Sequence, residues 1–237
     1  MKARFEILRH RRGAAESRWQ RVEIELPDEN ATVATALAAI NARPGLMDAE
    51  GAPVGHVAWD CSCLQKKCGA CAMRIDGVPR LACDTRLSEL GPGPVRLEPL
   101  KKFPVVEDLV VDRTAMFDNL RQLHSWLDRE VRLREEQVDV AYEASRCLQC
   151  GCCLEVCPNF MPGERFAGTA ALPPLARLIE ELAPSKKEEV YRLYTRRVYE
   201  GCGKSLACRN ICPAGIDVEK LLVNSNAIAV WKRMGRR

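Results

Sequence analysis

Between Trp19 and Leu26 polar and apolar residues alternate, with Val22, Ile24 and Leu26 on one face, the period-two pattern of a half-buried strand. Ala3–Leu8 is a more mixed stretch of polar and apolar residues. The polar segment Arg11–Ser17, with Gly13, reads as a hairpin loop between the two. The period then lengthens. Val33, Leu37 and Ile40 share the face of a short helix that Asn30 or Thr32 can cap and that Arg43-Pro44-Gly45 ends. Ala72–Gly77 predicts a strand running into a turn, and Val95–Pro99 predicts another short strand. Together these elements predict a small α+β domain ending near Phe103.

Beyond Pro104 helical spacing takes over. Leu109, Val110, Met116, Leu120, Leu123 and Leu127 recur at helical intervals through Val106–Arg132. Leu175–Leu182, Lys186–Val198 and Val218–Arg233 predict further helices, with Gly235 behind the last. No Ser/Gly-rich linker separates the halves. The change of period and the prolines Pro99 and Pro104 set the expected domains at residues 1–103 and 104–237.

Composition changes this picture in one respect. The 237 residues are 47% hydrophobic but only 5% aromatic, so something besides aromatic burial is expected to help hold the fold. The net charge of +4 is diffuse, and no basic stripe with interleaved aromatics argues for nucleic acid. Met1–Glu6 lacks the apolar core of a secretory signal, and no apolar run approaches the roughly 20 residues that span a bilayer. A cytosolic or peripheral protein is expected. There, thirteen cysteines point to metal rather than to disulfides.

The cysteines fall in three groups. In the first, Cys63, Cys68, Cys71 and Cys83 form C-x4-C-x2-C followed by a distant cysteine, the plant-type spacing for a 2Fe–2S cluster. Iron needs soft thiolates. The small residues Gly69 and Ala70 let the backbone approach the cluster's sulfurs. A zinc site would favour paired C-x2-C knuckles, of which this group has one. Cys61 would give a C-x6-C spacing, so Cys63 is the preferred first ligand.

In the second group Cys147, Cys150, Cys153 and Cys157-Pro158 match C-x2-C-x2-C-x3-C-P, in which the fourth cysteine ligates the other of two clusters. The third group, Cys202, Cys208 and Cys212-Pro213, supplies the partner run, with Ser205 where the pattern asks for cysteine. Cross-ligation then predicts a 4Fe–4S cluster on Cys147, Cys150, Cys153 and Cys212. It leaves three thiolates, Cys157, Cys202 and Cys208, for a 3Fe–4S cluster. A fourth iron held by the Ser205 oxygen is the alternative. Cys61 and Cys152 have no assigned ligand role, and Cys152 is expected to pack as a small hydrophobe.

These runs together resemble the iron–sulfur subunit of succinate dehydrogenase/fumarate reductase (complex II). Cys68–Gly77, Leu81–Thr85 and Phe103–Asp112 carry the likeness further along the chain. The resemblance implies a plant-type ferredoxin-like (β-grasp) domain followed by an all-α, bacterial-ferredoxin-like (α-helical ferredoxin) domain. It also implies partners: a flavoprotein subunit whose FAD interconverts succinate and fumarate, and a cytochrome b-type membrane anchor with quinone. The chain would then lie at the cytoplasmic face of the bacterial membrane, passing single electrons and doing no acid–base chemistry itself. His10, His56 and His124 are expected in structural or solvent-facing places. Well-known quinone-reducing members carry Trp shortly after the Cys-Pro and His after the first cysteine of the last run. Here Asn159-Phe160-Met161-Pro162 and Gly203 stand instead, a form more similar to members with a two-haem anchor. The basic tail Trp231–Arg237 is expected to be a solvated helix end, with contact to anionic lipid or the anchor as the alternative. The alternative function is the same role in a related flavoprotein reductase with another substrate or a soluble or thiol donor. Thiol-using relatives carry a further cysteine-rich domain, and none appears before Arg237.

Overall fold

The computed structural model describes residues 1–13, 16–126, 135–182 and 184–232. The chain forms two compact units, Met1–Asp112 and Arg113–Arg237.

In the first unit β1 (Lys2–Arg9) and β2 (Arg18–Glu25) pair antiparallel in unbroken register, from Lys2 opposite Glu25 to Arg9 opposite Arg18. Phe5, Ile7, Val22 and Ile24 are buried from this hairpin. β3 (Ala72–Ile75), β4 (Val78–Leu81) and β5 (Val95–Glu98) complete a mixed sheet in the order β2-β1-β5-β3-β4, with β1 and β5 parallel. Asp76 and Gly77, with φ of 50° and 77°, make the tight turn between β3 and β4. The sequence pattern shows that turn but not β4, because Val78-Pro79-Arg80-Leu81 holds a proline. Its place at the sheet edge lets the missing N–H go unpaired. Helix α1 (Val33–Asn41) buries Val33, Ala34, Ala36, Leu37 and Ile40, and Thr32 rather than Asn30 caps it.

The expected long helix from Val106 does not form at its start. β6 (Val105–Glu107) and β7 (Val110–Val111) make a hairpin, and helix α2 spans only Thr114–Gln122. Residues 127–132 of that expected helix lie outside the described residues. Two causes defeat the helical spacing. Val105, Val106, Val110 and Val111 are β-branched. Asp108, at φ 44°, turns the chain and is buried as the acceptor of a network. Its carboxylate takes Arg9 Nε and Nη2 at 3.0 Å each, His10 N at 3.0 Å and Ala58 N at 2.9 Å. Arg9 donates further to Gln20 Oε1 (2.6 Å) and to the carbonyls of Val54 (2.8 Å) and His56 (2.5 Å). The first strand, the last hairpin and the segment leading to the cysteine loop are therefore stitched together, and the first unit continues past Phe103.

The second unit is helical. Helix α5 (Leu172–Glu181) buries Leu172, Leu175, Ala176, Leu178 and Ile179 and packs against α3 (Glu135–Ser145), α6 (Pro184–Tyr194) and α7 (Val218–Asn226). Prolines in its first turn suit a helix start. Helices α6 and α7 each run on into a π-helical turn, Thr195–Tyr199 and Ala227–Trp231. A four-residue helix, α4 (Cys152–Glu155), lies within the second cysteine group. Helix α3 lacks a clear apolar stripe in sequence and goes unread there. Residues 233–237 of the basic tail, and Gly235 with them, lie outside the described residues. Among the described residues no helix is long and apolar enough to cross a membrane.

Candidate metal centres

All thirteen cysteines are free thiols. In the first unit the run from Cys63 to Cys71 alternates into the left-handed region at Leu64 (φ 53°), Lys66 (58°) and Gly69 (74°). Such alternation turns successive N–H groups inward to make an anion-binding concavity. Gln65 N and Lys67 N reach Cys63 Sγ at 3.4 and 3.3 Å, and Lys66 N reaches Cys83 Sγ at 3.3 Å. Ala70 N lies 3.5 Å from Cys68 Sγ. Those amide donors, from Gln65 first and Lys67 next, pull the Cys63 thiol down to about 7. Cys71, at the entry to β3, is buried, and burial pushes it up to about 12.

Cys83 is brought to this loop by α1. Ala34 N bonds the Ala82 carbonyl at 3.0 Å and Val33 N bonds the Thr85 carbonyl at 3.0 Å, while Ala82 N bonds the Cys71 carbonyl at 3.1 Å. The segment carrying Cys83 is thus pinned between the helix start and Cys71. Cys61 is exposed.

In the second unit two sets of ties run between the cysteine groups. At the end of α3, Glu143 accepts from Asp217 N at 2.8 Å, and Arg146 bonds both Glu143 and the Ala214 carbonyl. The start of the second group therefore lies against the end of the third. At the other end Asn159 Nδ2 donates to the Gly201 carbonyl at 3.1 Å, and Arg165 pairs with Glu200. The two groups consequently run in opposite senses.

The electrostatics of the thiols record the same crossing. Burial pushes Cys147 up to about 11, and the neighbouring cysteines that add to it are Cys150 and Cys212. Burial also raises Cys153, and Cys150, Cys147, Cys212 and, least of the four, Cys208 add to it. Cys208 is raised by burial, eased by the Thr169 hydroxyl, and feels Cys157 and Cys202. Cys152 is fully buried and hydrogen-bonds Cys150, which raises Cys152 and lowers Cys150; Arg113 also favours the Cys150 thiolate.

Cys157, Cys202 and Cys208 line one small cavity with Ser205, Asn159 and Gly203. A Cβ at Gly203 would stand 3.1 Å from the Asn159 amide, so the small residue and the short amide fit each other.

Among the described residues no group of three or more His, Cys, Asp or Glu converges to hold a single metal ion. Cluster thiolates sit on different irons and need not converge on one point. Their soft sulfur donors and the amides around them fit iron–sulfur chemistry. His10 Nδ1 is 3.0 Å from Ser17 Oγ, and His56 and His124 are exposed.

Gln149, Arg113 and Thr169 act on the thiols and escape the sequence pattern. Gln149 Nε2 lies 3.3 Å from Cys147 Sγ. Its position inside Cys147-x-x-Cys150 was the available signal. Nothing in sequence marks Arg113 or Thr169.

Residues 4–118 match the family described as 2Fe-2S iron-sulfur cluster binding domain, and residues 143–216 match the 4Fe-4S dicluster domain. The succinate dehydrogenase iron-sulfur subunit of Bacillus subtilis (strain 168) is 37% identical over 206 residues, covering 82% of this chain and 80% of that protein. The fumarate reductase iron-sulfur subunit of Wolinella succinogenes is 30% identical over 180 residues, covering 68% and 72%. In fold the chain is similar to a chain of the Mycobacterium smegmatis Sdh1 complex in the apo form. The TM-score is 0.76 at 24% identity, over 95% of this chain and 96% of that one.

Proposed function

Because the chain belongs to the iron–sulfur subunits of succinate dehydrogenase/fumarate reductase, we propose that it relays single electrons between the FAD of a flavoprotein subunit and a quinone at a cytochrome b-type membrane anchor. In this reading it lies at the cytoplasmic face of the membrane, held there by the anchor, and carries 2Fe–2S, 4Fe–4S and 3Fe–4S clusters. When bound, the clusters supply one-electron carriers that split the two-electron chemistry of a flavin.

The protein's part is to hold and tune them. Cys63, Cys68, Cys71 and Cys83 hold the 2Fe–2S cluster, and the amides of Gln65, Lys66 and Lys67 stabilise negative charge on its sulfurs. Cys147, Cys150, Cys153 and Cys212 hold the 4Fe–4S cluster, with Cys150 buried and the other three partly so. Cys157, Cys202 and Cys208 hold the 3Fe–4S cluster beside Ser205.

The observation that supports this most is the opposite sense of the two cysteine groups, which sets Cys212 by Cys147 and Cys157 by Cys208. EPR of the purified complex, with iron analysis, tests it. A near-isotropic signal in the oxidised state, and one cluster of each kind by iron content, is the expected result. Ser205→Cys completes a fourth thiolate, gains one iron per chain and abolishes that oxidised signal. Zinc in place of iron, or no paramagnetic signal in either redox state, refutes the assignment.

A further inference from the structure

Gln149 stands in the turn between Cys147 and Cys150 with φ 50°. Its side chain folds back so that Nε2 lies 3.3 Å from Cys147 Sγ and 3.2 Å from the Ala170 carbonyl. Ala170 fixes which way the amide points. An amide oxygen at that distance from a carbonyl oxygen would be repelled, so the NH2 group faces both acceptors and offers each one hydrogen. The backbone N–H of Gln149 bonds the same thiol, so one residue aims two donors at one sulfur.

Two further observations argue that the side-chain donor is there for Cys147. The amide's other end, Oε1, is buried and has no hydrogen-bond partner among the described residues. An unpaired buried acceptor costs stability, so the site keeps an amide where an apolar side chain would pack without that cost. The third cysteine group supplies a control. Lys204 occupies the matching position with the same left-handed backbone, φ 55°, yet its Nζ lies 4.8 Å from the centre of the Tyr199 ring. Backbone geometry alone therefore does not direct a side chain onto the sulfur.

We propose that Gln149 is a positioning residue that sets the reduction potential of the cluster on Cys147, Cys150, Cys153 and Cys212, by donating its side-chain N–H to the Cys147 thiolate. The inference rests on the electron-relay reading above. One-electron reduction adds a negative charge to the cluster and its sulfurs. A donor held against a ligand sulfur is worth more in the reduced state, so it raises the potential. The electron comes from, and leaves to, the relay's other carriers.

The test is an EPR-monitored redox titration of the intact complex carrying Gln149→Met or Gln149→Leu. Met keeps the length and volume of Gln, and Leu removes the donor on a shorter stem. At a fixed ambient potential the reduced-to-oxidised ratio of this cluster falls about tenfold in both, ~59 mV for a one-electron couple. The midpoint of the 2Fe–2S cluster in the first unit stays where it was. Gln149→Glu, which has the reach but no N–H, lowers the ratio at least as far. A cluster that assembles in the variants with an unchanged midpoint overturns the proposal. A wild-type complex with no reducible 4Fe–4S signal refutes the relay reading instead, so the two failures are told apart.

Discussion

The two units differ in what surrounds most of their thiols, although burial raises Cys71 in the first and the Gln149 N–H bonds Cys147 in the second. The first uses backbone: a loop with left-handed residues at Leu64, Lys66 and Gly69 presents successive amides to Cys63 and Cys83, and Cys61 and Cys68 in it are exposed. The second uses burial and side chains: Cys147 and Cys153 are pushed up by desolvation, and Gln149, Thr169 and Arg113 act on particular sulfurs. A backbone-made setting tolerates many side chains, because every residue but proline carries the donor. A side-chain-made setting depends on particular residues, and on ties such as Asn159 to Gly201 that fix which cysteines meet.

The strongest way to break this contrast is to remove a crossing cysteine. Cys157→Ser is expected to abolish the 3Fe–4S signal while leaving the 4Fe–4S cluster, although Cys157 belongs to the run that supplies most of the latter's ligands. Cys212→Ser does the reverse. In the first unit Cys83→Ser removes only the 2Fe–2S cluster. EPR and iron content of the purified complexes read all three, and loss of the 4Fe–4S cluster in Cys157→Ser would mean that the runs do not cross.

Packing tests the same contrast at smaller scale. A Cβ on Gly168 would come 2.3 Å from Leu154 Cδ2 and 2.9 Å from Phe160 Cδ2, at a φ of 76°. Gly45 has nearly the same φ, 72°, and a Cβ there would meet nothing within 4 Å beyond its chain neighbours among the described residues. Gly168→Ala should cost about 3 kcal/mol, combining overpacking with backbone strain, and Gly45→Ala about 1 kcal/mol from strain alone. Urea unfolding followed by circular dichroism measures both. Equal losses would show that the crowding around Gly168 relaxes freely.

The smallest effect is one of reactivity. In the cluster-free chain Cys63, drawn down to about 7 by amide donors, should alkylate at a rate that rises with pH and levels off a little above 7. Cys147, pushed up to about 11 by burial, gains thiolate only in strong base. Mass spectrometry of iodoacetamide-treated protein across pH gives the two profiles, and their coincidence would dissolve the distinction.

Much of this was legible in the sequence because cysteine spacing is a local property, set by how far a short loop reaches. The hairpin of β1 and β2 and the capped α1 were legible for the same reason, since alternation and capping residues act over a few positions. The chain from Val106 to Val111 reads as helix in sequence but folds as a hairpin, because Arg9, far away in sequence, bonds Asp108 against the local period. Helix α3 was missed because its apolar residues Val138, Val140, Ala141, Tyr142 and Ala144 spread around more than half of the helix rather than forming a narrow stripe, and α4 because it is only four residues long. The amide of Gln149 and the hydroxyl of Thr169 act across space on sulfurs, and no spacing rule announces them.

The bond between Arg9 and Asp108 spans 99 residues of sequence. During synthesis Arg9 leaves the ribosome long before its carboxylate partner exists. Val54, His56 and Ala58, which the finished network fixes, stand just ahead of Cys61 and Cys63. Asn41 and Arg9 can already hold Val54–Val57, but the bonds at Ala58 wait for Asp108 and Leu109. The approach to the cysteine loop is thus completed by residues that the chain supplies late, at Asp108 and Leu109.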